Sequence, residues 1–207
     1  MSTIKLYRHP LSGHAHRVEV MLSLLGINAE IIDVDLMKGE QKTSVFLQKN
    51  PLGQVPVLED GDITLSDSNA IIVYLASKYD PSRSWLPTAP EQAAIVQGYL
   101  TVAAGALAFG PASARLVTLF GAGLDPDNAI AIAHNLLQRL DNDLSSRQWL
   151  AGNQPTLADV ANYAYIARAP EGNVSLDDYT HVRAWLQRFE SLPGFVPMQS
   201  TAVGLAA

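Results

Sequence analysis

The stretch Asn50–Ile72, reading NPLGQVPVLEDGDITLSDSNAII, constrains this chain more than any other. Asn50-Pro51-Leu52-Gly53 is turn chemistry, with Pro supplying a fixed and Gly a permissive backbone. Val55-Pro56-Val57-Leu58 reads as a short apolar strand carrying a proline near its start. Asp60-Gly61 signals a hairpin, and Ile63-Thr64-Leu65 is the returning strand. Ser66-Asp67-Ser68-Asn69 then starts a helix whose apolar positions Ile71, Ile72 and Leu75 follow helical spacing.

A proline in a paired strand removes a ladder donor, so it belongs at an edge or at a built irregularity. If Val55-Pro56 is cis, the neighbouring N–H and C=O groups face outward and can pair with an extended peptide. Such a peptide, lying on Val55, would direct its terminal carboxylate or amine toward Asp67 and Ser68. An ordinary trans proline on an edge strand is the alternative, and periodicity does not separate the two.

Around this stretch the chain reads in two styles. Ile4–Tyr7 alternates as a strand, His9–Gly13 is a loop, and His14–Leu25 is a helix closed by Gly26. Residues 30–36 form a second strand, 37–41 a loop and 42–48 a short helix. The order strand–helix–strand–helix–strand–strand–helix is an α/β unit of the thioredoxin type, expected over residues 1–80. A proline-rich linker covers 80–90. The rest, 88–207, is expected to be all-helical: a long helix from Glu91 to about Phe120 kinked at Pro111, a second over 126–145, a capping box at Thr156 and Asp159, and a last over 181–190. All five lysines lie between Lys5 and Lys78, which fits a boundary near residue 80.

A length of 207 residues suffices for one domain or two small ones. The net charge of −6 and the lack of a basic run argue against nucleic acid or an anionic membrane as partner. No cysteine is present, so disulfides, thiolate metal sites and a cysteine nucleophile are excluded, and any thiol chemistry needs a thiol from the substrate. Lys5 and Arg8 interrupt any leader-like apolar run, and no eighteen consecutive apolar residues occur, so a cytoplasmic protein is expected.

His9-Pro10-Leu11-Ser12, Asn50–Leu58, Asp67-Ser68-Asn69-Ala70-Ile71 and Trp149-Leu150-Ala151-Gly152 leading to Thr156-Leu157-Ala158-Asp159 occur in an order and spacing that resemble a cytosolic glutathione transferase over essentially the whole chain. The pattern is most similar to the serine-type members, the phi class and its bacterial relatives. The resemblance implies that fold: a thioredoxin-like α/β domain, then an all-α bundle. It also implies a homodimer, with glutathione as co-substrate and no bound cofactor or metal.

Carried over by residue, the resemblance makes Ser12 the catalytic serine. Val55, beside cis-Pro56, would pair with the cysteinyl backbone of glutathione. Gln41, Lys42 and Gln54 would contact the glycine end, and Asp67 and Ser68 the γ-glutamyl end. The chemistry agrees: Lys42 suits one carboxylate, a helix N-terminus with the Ser68 hydroxyl suits the other, and Asp67 suits the ammonium. A thiol with a pKa near 8.5 is mostly protonated at neutral pH, and a hydroxyl donating to its thiolate favours ionisation. Ser12 also reads as a plain N-cap of the helix at His14. His9, His14 and His16 invite a metal reading, but residues two apart on a helix do not face each other. The three histidines are therefore expected to be surface or supporting groups, and Arg17 is expected to brace the first helix against the domain boundary.

The implied reaction joins glutathione to small apolar electrophiles in a cleft walled by Leu11, Leu36, Met37, Leu107, Phe109, Ala112, Arg115 and Phe120. Two other readings stand beside it. The same thiolate could serve peroxide reduction, isomerisation or dehalogenation, or the fold could act without catalysis as a carrier or interaction module. Two positions depart from the pattern: Asp67 is shorter than the usual glutamate, and Leu52 stands where many phi-class proteins place an aromatic key for the partner subunit.

Overall fold

The computed structural model describes residues 3–207 as two compact units: one comprises the chain through Ser82 plus Pro193–Gln199, the other Arg83–Leu192 plus Ser200–Ala207. The first unit is a four-stranded sheet of order β2-β1-β3-β4, with β1 Ile4–Arg8, β2 Ala29–Asp33, β3 Val57–Asp60 and β4 Ile63–Ser66. β1 runs parallel to β2 and antiparallel to β3, and β3 returns antiparallel to β4 through the turn at Gly61. Helices α1 Gly13–Leu24 and α3 Ser68–Tyr79 pack together, burying Val18, Met21 and Leu22 from one and Ile71, Ile72 and Leu75 from the other. Val34, Phe46 and Val57 form a further core cluster, and Leu36 and Val55 pack against it.

Several boundaries differ from the sequence reading. The second strand ends at Asp33 rather than 36, because its partner β1 ends at Arg8 and gives Val34 N–H one last carbonyl, at 2.7 Å. The expected helix 42–48 divides into a 3₁₀ turn, Glu40–Lys42, and α2, Ser44–Lys49. Thr43, extended at φ −69° and ψ 152°, separates them and caps α2 by accepting from Phe46 N–H. Pro193–Gln199, expected with the helical part, belongs to the first unit. His16 Nε2 bonds the Val196 carbonyl at 2.8 Å there, and a Cβ on Gly194 would come within 2.9 Å of the Ser23 carbonyl oxygen.

The second unit contains α4 Pro90–Ala104, α5 Ser113–Phe120, α6 Pro126–Leu144, α7 Leu157–Ala167 and α8 Thr180–Glu190. The long helix expected over 91–120 is broken: Gly105 departs from helical geometry and a π-helical turn spans Ala108–Ala112. Pro111 lacks an N–H and would crowd the carbonyl four residues back; the wider turn relieves this. Ser113 Oγ donates to the Ala108 carbonyl at 2.9 Å. By length and composition Pro90–Phe120 is apolar enough to cross a membrane, which counting consecutive apolar residues missed. Its two charges are Glu91 and Arg115, and Arg115 is spent on a buried ion pair within the unit.

The capping box forms as expected and does more than cap. Asp159, wholly buried, accepts from Thr156 N–H on one oxygen and from both Leu150 N–H and Trp185 Nε1–H on the other, each at 2.9 Å. One carboxylate thus joins the start of α7, the Trp149–Gly152 turn and α8. Burial pushes its carboxyl up to about 6 against the pull of these donors.

Candidate glutathione site

The site of the first unit is built on the turn after α2. Asn50, buried, donates through Nδ2 to the Gln54 carbonyl at 2.8 Å and accepts from Leu52 N–H through Oδ1 at 3.1 Å. This clasp holds the chain entering Val55-Pro56, whose peptide bond is cis. Gly53 sits at φ +59° against the Gln41–Lys42 loop. Lys42 is exposed; Gln41 donates weakly to the Leu36 carbonyl at 3.4 Å, and its buried Oε1 has no donor among the described residues.

A cavity of about 140 Å³ opens here, lined by His14, Asn50, Leu52, Gln54, Val55, Pro56, Ser66, Asp67 and Ser68. Five of the expected glutathione residues therefore meet in one place. Asp67 has φ 70°, a backbone region costly for any residue but glycine. From there its Oδ1 caps α3, accepting from Ala70 N–H at 2.8 Å. Gln41, Lys42 and Ser12 do not line the cavity. Lys42 joins its rim through the Leu52 carbonyl, and Ser12 lies at the N-terminus of α1, close in sequence to the lining His14.

Ser12 Oγ accepts from Ala15 N–H at 3.2 Å, so the N-cap reading holds. An accepting hydroxyl still has its hydrogen to donate. Capping and thiolate stabilisation are therefore compatible.

Arg17 is 1% exposed, and its Nη1 donates to Ser68 Oγ at 2.7 Å, tying α1 to α3 within the first unit. His14 Nδ1 lies 3.3 Å from both Arg17 Nη1 and Ser68 Oγ. Desolvation, with Arg17 adding repulsion, lowers the His14 pKa to about 4, so the ring is neutral at physiological pH. Because Arg17 can only donate, Nδ1 accepts and Nε2 carries the proton. The available signal was the His14–Arg17 spacing, which places two polar groups on the face that buries Met21.

The residues expected to wall an electrophile site are less uniform. Leu11 and Leu36 are half-buried, and Met37, Phe109 and Phe120 are exposed, whereas Leu107 and Ala112 are buried. Arg115 requires correction as a wall. It is buried inside the helical unit with Nε 2.6 Å from Glu171 Oε2, a pairing that a desolvated guanidinium needs.

Residues 2–77 match the family model for the glutathione S-transferase N-terminal domain, and 124–193 match that for the C-terminal domain. Glutathione S-transferase 3 of Zea mays is 36% identical, over 94% of this chain and 92% of its own length. The chain belongs to the glutathione S-transferase family. A glutathione S-transferase crystal structure from Pseudomonas fluorescens superposes with a TM-score of 0.89 at 33% identity, covering 96% of this chain and all of that one. A glutathione transferase homologue of Drosophila mojavensis, solved with bound glutathione, gives 0.86 at 31% identity over 93% and 90% of the two chains. The protein is thus a transferase of this family, with a thioredoxin-like unit followed by helices.

Proposed function

We propose that this enzyme conjugates the thiolate of reduced glutathione to small apolar electrophiles, with Ser12 stabilising the thiolate. The observation that carries the reading is the meeting of Val55-Pro56 and the start of α3 at Asp67-Ser68 in one small cavity. An extended tripeptide pairs its cysteinyl backbone with Val55. Its γ-glutamyl carboxylate meets the N–H groups of α3 and the Ser68 hydroxyl, and its ammonium meets Asp67. Gln41, Lys42 and Gln54 take the glycine carboxylate. Ser12 keeps its capping bond and donates its hydrogen to sulfur, favouring loss of the thiol proton to water. The sulfur lone pair then attacks the electrophile.

On the first unit, the electrophile contacts are proposed at Leu11, Leu36 and Met37. A cytoplasmic location follows from the need for reduced glutathione, which that compartment maintains. A homodimer is proposed with Leu52, 70% exposed, in place of an aromatic key. The test is one panel of aryl halides, activated alkenes, epoxides and hydroperoxides assayed with glutathione. Conjugate formation with the first three classes is expected. Turnover confined to hydroperoxides would make the enzyme a peroxidase, and glutathione binding without turnover would make it a carrier.

A further inference from the structure

We propose that Arg17 is a positioning residue for the γ-glutamyl carboxylate of glutathione, acting through the Ser68 hydroxyl; the inference rests on the glutathione reading above. Arg17 reaches Ser68 from beneath, out of contact with solvent, and the 2.7 Å bond is charge-assisted. Since a guanidinium has no acceptor, this bond occupies an Oγ lone pair and fixes which side of the hydroxyl faces the protein. Ser68 opens α3 and lines the cavity, so its remaining hydrogen has two destinations: His14 Nδ1 or a ligand in the cavity.

The His14 contact is long, at 3.3 Å, and Nδ1 has Arg17 Nη1 at the same distance as an alternative donor. Turning the Ser68 hydroxyl toward an arriving carboxylate therefore strands neither group. The Arg17 bond withdraws charge from Oγ and makes that O–H a stronger donor, in the way linked hydrogen bonds reinforce one another. Its fixed positive charge, one hydroxyl behind the N-terminus of α3, also adds to the field that favours an anion there. Neutral His14 serves as a proton acceptor that holds the hydroxyl when no ligand is bound. The three side chains act as a donor–relay–acceptor set tuned to a carboxylate.

The test is calorimetric titration with glutathione and with γ-aminobutyryl-cysteinylglycine, which keeps the amine and lacks the α-carboxylate. Arg17→Met should weaken glutathione binding by about tenfold, the loss expected for one charge-assisted bond. It should leave the affinity for the decarboxylated analogue unchanged. Arg17→Lys, which keeps charge and a donor, should recover most of the loss. In a Ser68→Ala background, either Arg17 substitution should add little. If Arg17→Met does not fold, Arg17→Gln, which removes the charge and keeps a donor, carries the same comparison with and without Ser68→Ala. Equal weakening of both ligands, or full additivity with Ser68→Ala, would reduce Arg17 to a packing role. Failure of the wild type to bind glutathione would instead remove the underlying reading.

Discussion

Lys42 Nζ donates to the carbonyl oxygen of Leu52 at 3.3 Å, which ties the Gln41–Lys42 loop to the turn that leads into Val55-Pro56. Gly53 makes this approach possible, since a Cβ there would lie 2.8 Å from the Gln41 carbonyl oxygen and 2.9 Å from Lys42 Nζ. Gly53→Ala should therefore displace the loop proposed to hold the glycine end, besides straining a positive-φ position by about 1 kcal/mol or more. Steady-state kinetics should show a several-fold rise in KM for glutathione, of the order of 1 kcal/mol of lost binding, with a lower Tm. A normal KM would detach this loop from the ligand.

Asp67→Asn tests the ammonium contact. Asparagine keeps the acceptor that caps α3 and is among the residues that best tolerate positive φ. Folding stability should change by only about 0.3–1 kcal/mol. Glutathione binding should weaken by about 1.5–3 kcal/mol if the ammonium bond is charge-assisted. Calorimetry showing wild-type affinity would place the ammonium elsewhere.

The lowered His14 pKa has a consequence for stability. Its folded value, about 4, lies below the ordinary 6.5, so between these values the unfolded chain binds more protons. His14 thus favours the fold fully above pH 6.5, and this contribution is lost as pH falls toward 4. Thermal melts from pH 7 to 4 should show a smaller acid loss for His14→Gln than for the wild type. Parallel curves would mean that His14 is hydrated and titrates normally.

Asp159→Ala leaves the N–H groups of Leu150 and Thr156 and the indole N–H of Trp185 without their acceptor. Stranded buried donors cost about 1–3 kcal/mol each. Chemical denaturation should show a loss of at least about 3 kcal/mol, well beyond the roughly 1 kcal/mol of a helix cap alone. A loss near the cap value would mean that water reaches these groups.

Much of the first unit was legible because its signals are local. Pro56 within an apolar run, Asp60-Gly61 between alternating segments and Asp67 before a helical run each mark a backbone event at that position. What escaped was long-range. Asn50 was readable as a turn residue, but its grip on the Gln54 carbonyl depends on a fold-back that no spacing encodes. The bond from Arg17 to Ser68 was not legible because Ser68 lies in another helix. Thr156 and Asp159 announced a cap, whereas the contribution of Trp185 to that carboxylate comes from α8. Pro111 announced a disturbance, but its form as a π turn after a break at Gly105 reflects packing of the surrounding helices.

Ser12 carries the central claim, and the apparent pKa of the bound glutathione thiol tests it most directly. Ultraviolet titration of the thiolate in the binary complex should place that pKa well below the free value of about 8.5 in the wild type. In Ser12→Ala it should return toward the free value, by about 1.4 kcal/mol for each unit regained, while calorimetric affinity for glutathione stays nearly unchanged. A thiol pKa equally low in both proteins would contradict the account and move thiolate stabilisation to another group.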